Sequence, residues 1–105
     1  LLGLPSHLVT PFARSVLDAV DQIPLGRVMA YSDVADFISA GTGRAVGTIM
    51  AKYGDEVPWH RVVRADGSCA PGVRARQVAL LRAEDVPMNG ERVDLARARW
   101  DGRPE

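Results

Sequence analysis

RVMAYSDVADFISAGTGRAVGTIMAKY, residues 27–53, holds two short amphipathic patterns separated by a three-residue turn. After an extended link, Arg27-Val28-Met29-Ala30, the segment SDVADFISA turns Val34, Ala35, Phe37 and Ile38 to one side, with Ser32 in the capping position. Gly41-Thr42-Gly43 is a tight turn. RAVGTIMAKY then sets Val46, Ile49, Met50 and Tyr53 on one face and keeps Ala45, Gly47, Thr48 and Ala51 small over much of the rest. Two short helices around such a turn form a helix-turn-helix. Gly47 costs its helix about 1 kcal/mol relative to Ala, so its place needs a reason outside helix stability. A smooth, narrow helix with Arg44 at its tip suits entry into a groove.

Upstream, PFARSVLDAVDQI (11–23) keeps Phe12, Val16, Leu17, Val20 and Ile23 at helical spacing, with Thr10 as N-cap and Pro11 in the first turn. Pro24 and Gly26 stop it. Downstream, YGDEVP is loop, HRVVRADGS is a strand running into an Asp66-Gly67 turn, and CAPGVRA is a second loop. RQVALLRAEDV (76–86) is a last helix with Val78, Leu81 and Leu80 toward the core. The tail, MNGERVDLARARWDG, adds a strand or lies over the surface with Trp100 as its anchor. The order predicts a mainly α, winged-helix-like helix-turn-helix DNA-binding domain with a reduced wing, one domain over residues 1–105.

Thirteen basic and thirteen acidic residues cancel, which removes the simplest argument for nucleic acid. Twelve of the thirteen basic residues are Arg, the side chain suited to bidentate and stacking contacts with phosphates and bases. Residues 27–82 carry eight basic against five acidic side chains, so a basic face is compatible with zero net charge. No apolar run approaches a membrane span, and no signal segment is evident, so the expected location is cytoplasmic. Cys69 is the single cysteine and there are two His. That excludes an intrachain disulfide and argues against a structural metal; no cofactor is expected.

VPWHRV, residues 57–62, sets a His and an Arg between apolar flanks as if around a reactive centre, yet an indole precedes the His. Together with RVMAYSDVADFI, GRAVGTIM, VPWHRVVRADG and QVALLRAEDV, in that order, it resembles the DNA-binding domain of the O6-alkylguanine-DNA alkyltransferases over about residues 10–87. Repair-competent members carry Pro-Cys-His-Arg, whose thiolate takes the alkyl group. Here Pro58, His60 and Arg61 flank Trp59 in the cysteine position, as in the alkyltransferase-like proteins.

The resemblance implies a role for each matching residue. Tyr31 presses on the phosphate 3′ to the lesion. Arg44 is the finger that enters the minor groove and fills the gap left by a flipped base, and Gly43, Ala45, Gly47 and Thr48 complete the DNA-contacting surface. Trp59 forms the pocket wall, the Val62 carbonyl accepts from the guanine amino group, and CAPGVRA closes over the base. Gly72 and Val73 stand where some relatives carry an Arg or Tyr on the adduct, so Arg74 or Arg64 is left to supply a cation. With no thiol to activate, His60, Arg61 and Glu84 keep an orienting role.

The implied function is non-enzymatic binding of O6-alkylguanine in duplex DNA by a monomer that flags the lesion to nucleotide excision repair proteins, without membrane association. Two alternatives are a transcriptional helix-turn-helix regulator and an active alkyltransferase using Cys69. The first meets a helix of Ala, Gly and Val in place of major-groove readers. The second meets a thiol ten residues after Trp59 with no neighbouring His to lower its pKa.

Overall fold

A computed structural model describes residues 9–105; the part of the one-domain expectation that concerns residues 1–8 lies outside them. Helix α1, Pro11–Asp21, begins as expected: the Thr10 hydroxyl accepts from the Ala13 N–H at 3.1 Å. It ends two residues before Ile23, which leaves the helix yet stays buried.

Strand β1, Met29–Ala30, runs straight into α2, Tyr31–Ile38. The cap is therefore Ala30, and Ser32 is an exposed second helical residue. Alanine has no oxygen to offer, so Asp33 reaches back instead and its carboxylate accepts from the Ala30 N–H at 2.9 Å. Helix α2 stops at Ser39 in the left-handed region. Helix α3, Gly43–Tyr53, is capped by Thr42, whose hydroxyl accepts from Ala45 N–H at 3.1 Å. Gly43 is thus the first helical residue. A Cβ there would stand 3.0 Å from the Ser32 backbone nitrogen, so α2 and α3 approach this closely because the side chain is absent.

Past α3 the chain differs from the expected strand. Gly54–Glu56 and Trp59–Arg61 are 3₁₀ turns, and strand β2 is Val62–Val63 alone. His60 and Arg61 sit in the turn because both are committed to a carboxylate on another element, described below. β2 lies parallel to β1, with Met29 opposite Val62 and Ala30 opposite Val63. The Asp66-Gly67 turn forms, with Gly67 at φ 84°.

The expected loop over residues 69–75 is mostly structured. Pro71–Val73 is a 3₁₀ turn that feeds α4, Arg74–Ala83, so this helix starts two residues early and ends before Glu84. Val78 and Leu81 are buried, whereas Leu80 is only half-buried. The tail makes an antiparallel hairpin of β3, Met88–Asn89, and β4, Arg92–Val93, then a short helix α5, Leu95–Ala98. Strands of two residues each are the scale of a reduced wing. Trp100 is buried, donates its indole N–H to the Arg103 carbonyl at 2.8 Å, and meets the Phe37 ring at 5.5 Å.

Two apolar clusters result among the described residues. One joins α1, α2 and α3 through Val16, Leu17, Val20, Val34 and Val46. The other gathers Val28, Val63, Cys69, Val78, Leu81 and Val93 beneath α4 and the hairpin.

Candidate nucleic-acid interface

The parallel pairing of β1 and β2 brings the starts of two segments together, and a pocket of about 410 Å³ opens beside them. Tyr31 and Gly47 form one side, Met50 and Trp59 another, and Ala70, Val73 and Arg76 come from the turn and helix that follow. Trp59 is fixed by its 3₁₀ turn, where its N–H donates to the Val57 carbonyl at 2.6 Å. Its indole is half-buried and packs on the first cluster, leaving aromatic surface toward the pocket.

A guanidinium does stand on this ring, and it belongs to Arg76, 5.3 Å from the ring centroid. Neither Arg74 nor Arg64 is there. Residues two apart on a helix point about 200° apart, so with α4 starting at Arg74, that side chain and Arg76 face different ways. Arg74 is exposed and does not line the pocket. Placing Pro71 at the start of a turn that feeds the helix was the signal that would have separated them. Among the described residues, the Arg76 side chain makes no hydrogen bond or ion pair besides this stack.

Beneath the pocket, Glu84 holds the two residues that follow Trp59. His60 Nε2 lies 2.8 Å from Glu84 Oε2, and Arg61 Nε and Nη2 donate to the two carboxylate oxygens at 3.0 Å each. Against an ionised carboxylate that His60 nitrogen carries the proton. Arg61 Nη1 also donates to the Ile23 carbonyl at 2.8 Å. The Arg61 hydrogen bonds, above all, hold the Glu84 carboxyl down at about 2, against the opposing effect of burial.

Gln77, buried at 2% exposure, donates its amide to the carbonyls of His60 (3.1 Å) and Val62 (2.8 Å). Sequence reading passed over it; a polar residue beside Val78 on an inward face was its one sign. Val62 is itself buried behind the pocket wall, with its carbonyl already accepting from Gln77. Val62 does not line the pocket, and its carbonyl has a second lone pair beyond the Gln77 hydrogen bond.

A second, open groove of about 700 Å³ shares Tyr31, Gly47 and Ala51 with the pocket and runs between α3 and the turn after β2. Arg44, exposed at the tip of α3, and Thr48 line it, as does Arg64. The Thr48 hydroxyl turns back to donate to the Arg44 carbonyl at 3.2 Å. Gly47 faces open space: an added Cβ would meet only a Tyr31 ring carbon, at 3.9 Å. Tyr31 is half-buried, and burial pushes its phenol above the ordinary value despite the nearby Arg64. It therefore stays a neutral donor.

Cys69 is 1% exposed within the second cluster, where burial raises its thiol pKa. A buried, protonated thiol is a core side chain. Among the described residues no group of three or more His, Cys, Asp or Glu could hold a metal ion, and no helix is long and apolar enough to cross a membrane.

The chain matches the family model described as 6-O-methylguanine DNA methyltransferase, DNA binding domain, over residues 11–86. It is 37% identical over 97 residues to a DNA base-flipping protein of Escherichia coli, covering 86% of this chain and 74% of that one. It is 34% identical over 86 residues to a methylated-DNA–protein-cysteine methyltransferase of Methanothermobacter thermautotrophicus, of which it spans 48%. Among solved structures, Schizosaccharomyces pombe Atl1 in complex with damaged DNA containing O6-carboxymethylguanine is similar, with a TM-score of 0.75 and 30% identity, over 89% of this chain and 95% of that one.

Proposed function

The chain belongs to the family of 6-O-methylguanine DNA methyltransferase DNA-binding domains, and from that premise we propose that it binds O6-alkylguanine in duplex DNA without removing the alkyl group. The observation that carries this reading is Trp59, an indole in the pocket wall immediately before a His60 that is bound to Glu84. A His held by a carboxylate is the arrangement that activates a nucleophile. Here the neighbouring side chain has no proton worth taking, and the one thiol of the chain is buried in the other cluster.

In this reading α3 lies in the minor groove, Arg44 fills the gap in the stack, and Tyr31 bears on the backbone while the modified guanine rotates into the pocket. The pocket volume falls in the range of roughly 300–1,000 Å³ typical of small-ligand sites. Trp59 offers its aromatic surface to the alkyl group and Arg76 covers it, a cation on a π face that yields to or rests on the adduct. Since the alkyl group stays on the DNA, the complex is useful only as a signal, and the excision of a damaged segment by nucleotide excision repair proteins is the consuming step.

Gel-shift titration of matched duplexes bearing guanine, O6-methylguanine or a bulkier O6 adduct tests this, provided the DNA is recovered and its bases analysed. Tighter binding to the alkylated duplexes with every adduct returned intact is the expected result. Equal affinity for all three, or stoichiometric loss of alkyl with a matching mass gain on Cys69, would overturn it.

A further inference from the structure

We propose that Arg64 grips the DNA backbone beside the flipped nucleotide, its guanidinium pairing with a phosphodiester at the place where Tyr31 meets the strand. This rests on the DNA-binding reading above and gives Arg64 a different task from the cation on the adduct that the sequence suggested. The register of β1 and β2 sets Met29 opposite Val62 and Ala30 opposite Val63. Tyr31, which opens α2, and Arg64 are the residues that follow the two strands, so parallel pairing brings a phenol and a guanidinium to the same open groove.

The backbone of Arg64 is held at both ends: its N–H donates to the Ser68 carbonyl at 3.0 Å and its carbonyl accepts from Gly67 N–H at 2.8 Å. Its side chain is exposed and, among the described residues, makes no hydrogen bond or ion pair. A rigid base thus presents a free, forked cation, the geometry that recognises a phosphate through two oxygens. The rest of the lining agrees in sign. Among the described residues, Arg44 is the other charged residue of the groove, and no carboxylate lines it. The acidic residue closest in sequence, Asp66, is turned to Ser68 and to Arg92 at 3.7 Å. Tyr31, a neutral phenol whose ionisation burial further disfavours, can donate to the same strand without repelling it.

The test is the salt dependence of binding for wild type, Arg64→Gln and Arg64→Lys on plain and O6-methylguanine duplexes. Each neutralised phosphate contributes about 0.9 to the slope of log affinity against log salt. Arg64→Gln is expected to reduce that slope by about 0.9 and to weaken both duplexes by the same factor, with an unchanged thermal melt; Arg64→Lys is expected to restore the slope. A slope that Arg64→Gln leaves unchanged overturns the assignment. So does a loss confined to the alkylated duplex, which would put Arg64 on the adduct. Failure of the wild type to prefer alkylated DNA would overturn the lesion-binding reading instead, while the slope comparison still decides Arg64.

Discussion

Trp59 and Arg44 serve the same event through different physics, and their truncations separate. Trp59→Ala removes pocket wall, so affinity is lost in proportion to the alkyl area that touched the indole. At roughly 25 cal/mol per Å², a few tens of Å² of extra contact is about 1 kcal/mol. Binding of O6-methylguanine and of a bulkier adduct to wild type and mutant, treated as a double-mutant cycle, is expected to show the larger loss for the bulkier group. Because Trp59 also packs on the first cluster, a thermal melt accompanies the measurement. Equal losses would mean that the indole supports the wall without touching the adduct. Arg44, by contrast, is exposed and its side chain has no partner among the described residues. Arg44→Ala is expected to leave stability within about 0.5 kcal/mol and to cost lesion binding a few kcal/mol, on the order of a hundredfold. Unchanged affinity at an unchanged melting temperature would show that another group fills the gap in the stack.

At the scale of one helix, α3 holds two glycines of opposite meaning. Gly43 is small because α2 leaves no room: a Cβ would press to 3.0 Å on Ser32 backbone. Gly47 has room, with nothing nearer than 3.9 Å, so packing does not require it. Gly47→Ala is therefore expected to stabilise the fold by up to about 1 kcal/mol through helix propensity while narrowing the surface shared by pocket and groove. A higher melting temperature together with weaker DNA binding is the outcome that marks Gly47 as functional. Gly43→Ala is expected to lower the melting temperature, since helix backbone must shift to admit the methyl. If Gly47→Ala gains stability and keeps full affinity, the smooth face of α3 is not what meets the DNA.

Across the whole molecule, Glu84 ties together elements far apart in the chain: the turn that carries Trp59, the end of α4, and, through Arg61, the carbonyl after α1. Its carboxyl titrates at about 2 in the fold, below the usual 4.5. A depressed acid stabilises the fold above its unfolded pKa and loses that contribution as pH falls through the folded value. Glu84→Gln is expected to destabilise the protein at neutral pH by on the order of 3 kcal/mol. The gap between wild type and mutant should then narrow as pH falls from about 4.5 toward 2. Denaturant midpoints of both proteins over that range check it, and a gap that stays constant with pH would mean that shape, not charge, is what Glu84 contributes.

The helices, the capping of α1 by Thr10, and the apolar positions of both helices of the helix-turn-helix were legible in the sequence. These features are set by local spacing and by side-chain oxygens within a turn of the backbone they satisfy. The motif around Trp59 was legible as a family pattern for the same reason, since it is contiguous. What the sequence could not order were the features fixed by partners distant along the chain. His60 and Arg61 left their expected strand for a carboxylate more than twenty residues away. Arg76 in place of Arg74 came to cover Trp59 because α4 begins earlier than its periodicity shows. The Val62 carbonyl came to accept from the amide of Gln77 on another element. Arg64 came to stand beside Tyr31 because two strands of two residues each pair in parallel. Pairings between strands and burial of polar groups are decided by which surfaces meet, and only the tertiary structure brings those surfaces together.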